Sequence, residues 1–191
     1  AQMAHIRNPQ HDQEHDLHVI DPNADPTIAA KLPSERTFTS IAAALDCLRH
    51  DVRRRSPTIY VHPGLHDGPF TITRAHDGVS IVGMGASPGD VFVSSSDPDA
   101  GGPTLHVSPG VSSCFICKLT LDKVSLKPGG GPPIAGTFCT AHVQGKCELN
   151  NVEVRGSRQT IVIVTGAGGD LVIAHSRVAG PCLFAGIAVA E

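Results

Sequence analysis

"CELNNVEV" (147–154) and "LVIAHSRV" (171–178) stand 24 residues apart and share one pattern. Each is an apolar-x-apolar run, two turn-like residues, then a second alternating run. A third stretch, "LTLDKVSL" (119–126), aligns with the first of these at a spacing of 28, with the loop "KPGGGPPIAG" (127–136) taking up the difference. A looser copy, "HDGVSIVGMG" (76–85), shares the turn followed by V-x-I. Side chains alternate between the two faces of a strand, so this alignment puts Leu121, Leu149 and Ile173 in one inward column. Val124, Val152 and Ser176 begin the next column, and Leu126, Val154 and Val178 continue it. The pairs Asp122-Lys123, Asn150-Asn151 and Ala174-His175 then stack at the corner between columns, where Asn and Asp tolerate left-handed backbone angles. Further short strands read as "VFV" (91–93), "TLHV" (104–107), "TAHV" (140–143) and "TIVIV" (160–164).

Repeats of about two dozen residues, each giving several short strands with no helix between them, predict a parallel β-solenoid. A doubly wound α/β fold needs a crossover helix after each strand, and the hairpins of a β-sandwich do not stack columns at constant spacing. Composition agrees. The chain has 191 residues, no Trp, one Tyr, 20 Gly and 15 Pro, a make-up suited to many strands and turns rather than a helical bundle. One stretch does read as a helix. In "TFTSIAAALDCLRHDVRRRSP" (37–57), Phe38, Ile41, Leu45 and Leu48 fall at helical spacing, Thr39 or Ser40 can cap the start, and Pro57 stops the run. The expected domain is therefore 37–191, an all-β solenoid with a capping helix at about 39–54. Residues 1–36 read as a polar tail or arm. "HDQEHDLH" (11–18) within it spaces His11 and His15 four apart, but the flanking Pro9, Pro22 and Pro26 and the lack of a core pattern favour a solvated segment over a metal site.

A net charge of −3 supplies no basic field for nucleic acid and no polybasic membrane patch. No run is apolar and long enough to cross a membrane, and the first residues lack the core of a signal peptide, so the expectation is a cytoplasmic protein. The six cysteines follow no small-domain disulfide pattern, and the single C-x-x-C, Cys114 to Cys117, has no partner pair at zinc-ribbon spacing. No cofactor and no metal are expected.

"FTSIAAAL" (38–45), "TIYVHPGLHDGPFTI" (58–72) and "VSIVGMG" (79–85), taken in order, resemble the N-terminal part of pectin methylesterases. The resemblance spans residues 37–186 and implies the right-handed parallel β-helix of the pectin-lyase-like superfamily. Those esterases use two aspartates, one as nucleophile and one as general acid/base, with glutamines holding the oxyanion and an arginine orienting the site. One carboxylate must attack while the other handles the proton. In the strand where the family carries Gln-Asp, this chain reads "RQTIV", so Arg158 and Gln159 occupy those positions. Leu183, in "GPCLF", stands at the nucleophile, and Thr137 at an earlier glutamine. Glutamine does not ionise and leucine cannot attack a carbonyl, so no catalytic residue is assigned.

Other constellations read as structural. Asp97 and Asp99 fall in a turn-rich loop, Asp122, Glu148, Glu153 and Asp170 read as spread over different faces or corners, and His175 as a turn residue. Cys114, with His106 or His142 as a base, sits in surroundings too apolar for an activated thiolate. "KPGGGPP" (127–133) lacks the G-K-[ST] of a phosphate loop. The expected function is a non-catalytic β-helix module, the N-terminal part of a longer solenoid, that recognises or scaffolds a protein or an oligo- or polysaccharide, with His142, Arg158 and Gln159 as candidate ligand-binding residues. The alternative is a carbohydrate-active enzyme whose site uses other residues or lies downstream. "GIAV" (186–189) begins an unpaired, apolar strand, so either the chain continues or that end is covered. The expectation is a homodimer through the open end, with Ile187 and Val189 at the interface, and the alternative is that the loop 127–136 or the tail 1–36 folds over it.

Overall fold

The computed structural model describes residues 16–49, 56–95, 102–123, 139–156, 160–180 and 185–190. Within them the chain makes five successive coils, each laying one strand in each of three parallel sheets. The first sheet holds Thr58–Val61, Ser80–Gly83, Phe115–Cys117, Lys146–Asn150 and Asp170–Ala174. The second holds Gly64–Asp67, Val91–Ser95, Thr120–Lys123, Glu153–Arg155 and Arg177–Ala179, and the third Phe70–Ile72, Leu105–Val107, Ala141–Val143, Thr160–Thr165 and Ala185–Ala190. This is the right-handed parallel β-helix, the hand that crossovers between parallel strands adopt almost without exception. All four of the additional short strands expected from sequence are present.

The core is a set of stacked inward columns, apolar but for the buried His66. In the first sheet Leu17, Ile59, Ile81, Ile116, Leu149 and Ile173 follow one another in register. In the second, His66, Val93, Leu121, Val154 and Val178 do so. In the third the column is Phe70, Leu105, Ala141, Val162 and Ile187. The 24-residue repeat of the last two coils is therefore correct, but the third copy is slipped by five residues. Leu149 stacks on Ile116, 33 positions away, rather than on Leu121, and Leu121 lies beside Val154. Val124 and Leu126, expected in the next columns, lie outside the described residues, as does the loop 127–136.

The slip has a local cause. The corner between the first and second sheets is two residues long, and its first residue adopts a left-handed backbone: Lys118 (φ 57°), Asn151 (φ 54°) and His175 (φ 51°). Asn151 advertises that conformation, whereas a lysine carries no such signal, so Asp122-Lys123 looks like the better turn although both residues lie in a strand. The three corners are hydrogen-bonded to each other. Lys118 N–H donates to the carbonyls of Asn150 (3.3 Å) and Asn151 (3.1 Å), and Asn151 N–H to that of Ala174 (2.9 Å). One coil earlier the same place is taken by Gly83, where an added Cβ would lie 1.8 Å from the Lys118 carbonyl oxygen. The first glycine in the G-x-G of "VSIVGMG" thus marks a close approach of backbone to backbone.

A helix covers the N-terminal end of the core. It runs Ile41–Leu48, shorter than the expected 39–54, and the Ser40 hydroxyl accepts the Ala43 N–H at 3.2 Å. Ile41, Leu45 and Leu48 are buried against the first coil. Arg53, Arg54 and Arg55 lie outside the described residues. Leu17–Val19, inside the segment read as a tail or arm, is a strand of the first sheet, pairing with Thr58–Val61 on one side and Thr37–Phe38 on the other. Its apolar-x-apolar pattern is only three residues long, too short to register in a polar sequence, yet Leu17 and Val19 are fully buried. At the other end Ile187 and Val189 continue the inward columns of the third sheet and are 46% and 77% exposed.

Candidate functional site

The outward positions of the third sheet form the ladder Thr71, His106, His142, Ile163 and Ala188. His142 lies in the middle of it. Strand register sets its ring beside that of His106, with centroids 5.3 Å apart and planes inclined by 19°. Two further side chains fix the pair. His106 Nε2 and Gln144 Oε1 share a hydrogen bond of 3.1 Å. His142 Nε2 shares a hydrogen bond of 2.8 Å with the Thr165 hydroxyl. Burial, reinforced by the neighbouring His106, lowers the His142 pKa below its ordinary value. A neutral His142 offers a flat ring face and a ring nitrogen rather than a positive charge. Among the described residues this sheet carries no carboxylate.

Arg158 and Gln159 lie outside the described residues, immediately before the strand Thr160–Thr165, and Leu183 and Thr137 lie outside them as well. The ladder itself has a sequence trace: "TLHV" and "TAHV" place a histidine at the same point of two strands. Gln144 and Thr165 have none, because they meet the histidines only through register between coils.

The second sheet presents a different surface. Asp122 and Glu153, expected on separate faces or corners, share this one and line a shallow hollow of about 430 Å³ with Arg155 and Arg177. Sequence distance hid this, since the two are neighbours only because Leu121 stacks on Val154. Arg155 donates to Glu153 at 2.6 Å and lies over the Phe92 ring, 5.8 Å from its centroid. Arg177 stands 3.8 Å from the other oxygen of Glu153. The hydrogen bond from Arg155 holds the Glu153 carboxyl below the usual carboxylate range, whereas burial pushes Asp122 up. Both cations of the hollow face Glu153, so the face is a neutral ion network rather than an anion receptor. Glu148 is on the first sheet, Asp170 begins that sheet's last strand, and His175 turns a corner. Cys114 is buried, with its thiol donating to the Lys146 carbonyl at 3.4 Å.

The coil geometry and the cap helix define the class: a right-handed parallel β-helix of the type seen in pectin methylesterases. No protein-family model and no curated protein matches the chain. Among solved structures, the chain is similar to Escherichia coli YbhC (TM-score 0.66, 17% identity), which it matches over 88% of its own length and 52% of that protein. It is similar also to pectin methylesterase PemA from Erwinia chrysanthemi (TM-score 0.65, 16% identity), over 88% of its own length and 50% of PemA. The chain thus spans about half the length of these proteins.

Proposed function

We propose that the outer face of the third sheet binds an oligo- or polysaccharide without cleaving it. The observation that carries this reading is the stacked imidazole pair His106–His142, held by Gln144 and Thr165 and continued by Ile163. A sugar ring has an apolar face and a rim of hydroxyls. A flat, partly apolar ladder edged by an amide and hydroxyls complements both. The likeness to a pectin methylesterase supports a galacturonate polymer as the first ligand to try. Ester cleavage in the manner that the resemblance implies requires two carboxylates, where the sequence has Gln159 and Leu183.

Calorimetric titration with oligogalacturonates, methylated and unmethylated, tests the proposal. His142→Ala should weaken binding by about tenfold, the equivalent of one lost stacking and hydrogen-bonding contact of roughly 1.4 kcal/mol. Arg155→Ala, on the second sheet, should leave affinity unchanged. Undetectable binding, or turnover of methylated pectin that disappears on replacing an acidic residue, would overturn it.

A further inference from the structure

Two histidines far from the third sheet meet at the N-terminal end of the first. His18 is the outward residue of Leu17–Val19, in register with Tyr60, and His62 follows the strand Thr58–Val61. Their ring nitrogens face each other, His18 Nδ1 to His62 Nε2, at 3.2 Å, with centroids 5.4 Å apart and planes tilted by 47°. We propose that this pair binds one late first-row divalent cation, of the Zn²⁺ or Cu²⁺ class, through those two nitrogens.

Metal–imidazole bonds are about 2.0–2.1 Å long, so two nitrogens on adjacent corners of a square or tetrahedral ion stand about 2.8–3.4 Å apart. The observed separation falls inside that window. The rings are also held in place before any ion arrives. His18 stacks on Tyr60, with centroids 5.7 Å apart at 24°. His62 donates its backbone N–H to the Val19 carbonyl at 2.9 Å, and its own carbonyl lies 2.8 Å from His66 Nε2. Burial lowers the pKa of both His18 and His62, which keeps the rings neutral with lone pairs to offer, and at His18 the Asp16 carboxylate opposes this only in part. No group of three or more His, Cys, Asp or Glu side chains among the described residues is arranged to hold a metal. The ion therefore takes two protein ligands, with water in its remaining positions.

Binding needs no redox partner. In the metal-free pair one neutral ring donates its proton to the other. On coordination that proton moves to the far nitrogen of its own ring, and both facing lone pairs go to the metal. Because one ligand lies on the strand Leu17–Val19 and the other just after Thr58–Val61, the ion clamps Leu17–Val19 to the first full coil and stabilises the folded chain by linkage. Nitrogen ligands of this kind suit Zn²⁺ and Cu²⁺ over Mg²⁺ or Ca²⁺.

The test uses the full chain and Zn²⁺, with thermal unfolding and NMR of the histidine ring nitrogens as readouts. The expected result is a rise in unfolding midpoint with Zn²⁺ but not Mg²⁺, with coordination shifts at His18 Nδ1 and His62 Nε2 before any other histidine. His18→Gln and His62→Gln should each abolish the rise, and a His11→Gln/His15→Gln double variant should keep it. Should a Gln variant fail to fold, the wild-type ring-nitrogen shifts decide alone. No midpoint shift at millimolar Zn²⁺, a shift that survives both single variants, or ring-nitrogen changes confined to other histidines would overturn the proposal.

Discussion

Replacing Ile116 by alanine attacks the column on which the solenoid rests. Ile116 is fully buried between Ile81 and Leu149, with an inward neighbour in the coil on either side. The substitution removes three carbons, about 2.4 kcal/mol of transfer free energy at about 0.8 kcal/mol each. The coils above and below are pinned by continuous ladder hydrogen bonds and cannot close on the gap, so a cavity contribution adds to this, giving about 3–4 kcal/mol within the usual range of roughly 2–5. Urea unfolding followed by circular dichroism measures it. With a slope of about 2 kcal/mol per molar, the midpoint should fall by roughly 1.5–2 M. Val172→Ala is the control: it lies in the same sheet but points outward and is 53% exposed, and its cost should stay within about 0.5 kcal/mol. Equal midpoint shifts for the two variants would mean that the inward and outward faces have been assigned wrongly.

Three further outcomes follow from particular contacts. Gly83→Ala sets a methyl group against the Lys118 carbonyl and should cost about 3 kcal/mol or more, because backbone on both sides must move; a neutral change in the same urea assay would refute the close approach. Asp77 ties two turns together by accepting the N–H groups of Ser112 (2.7 Å) and Ser113 (3.0 Å) and the Ser112 hydroxyl (2.5 Å), so Asp77→Ala should destabilise by about 1–2 kcal/mol. Burial opposes the ionised form of Asp77, but these hydrogen bonds prevail and lower its pKa, so its contribution is present above the unfolded carboxylate value and lost as pH falls through the folded one; an Asp77→Ala difference that persists unchanged at pH 2 would contradict this. Burial also lowers the pKa values of His18, His62, His66, His76 and His142. Below about 6.5 the unfolded chain then takes up protons before the folded one, so unfolding free energy should decline as pH falls through that value and level off once the folded histidines titrate; a flat or rising profile from pH 8 to 5.5 would refute it.

The sequence carried most of the fold because a solenoid repeats its own evidence. Alternating apolar residues recur coil after coil, and Asn151 marks a corner by its tolerance of a left-handed backbone. Where the repeat was misaligned, chemistry was silent: Lys118 takes the same conformation without a favourable side chain, and the register of Leu121 shifted with it. The strand Leu17–Val19 was hidden for a different reason, since its burial comes from the first coil beneath it and not from its own polar surroundings. Site residues were legible only where one strand carried them. His142 could be singled out, but the meeting of His18 with His62, or of Asp122 with Arg155, depends on inter-coil register that no local pattern encodes.

The most direct test of saccharide recognition is to map an oligogalacturonate onto the folded chain by amide chemical shifts. Binding to the third sheet predicts that the largest changes fall on Thr71, His106, His142 and Ile163, with no release of methanol from a methylated ligand. Changes centred on Glu153 and Arg177, or none at millimolar ligand, would contradict the assignment of that face.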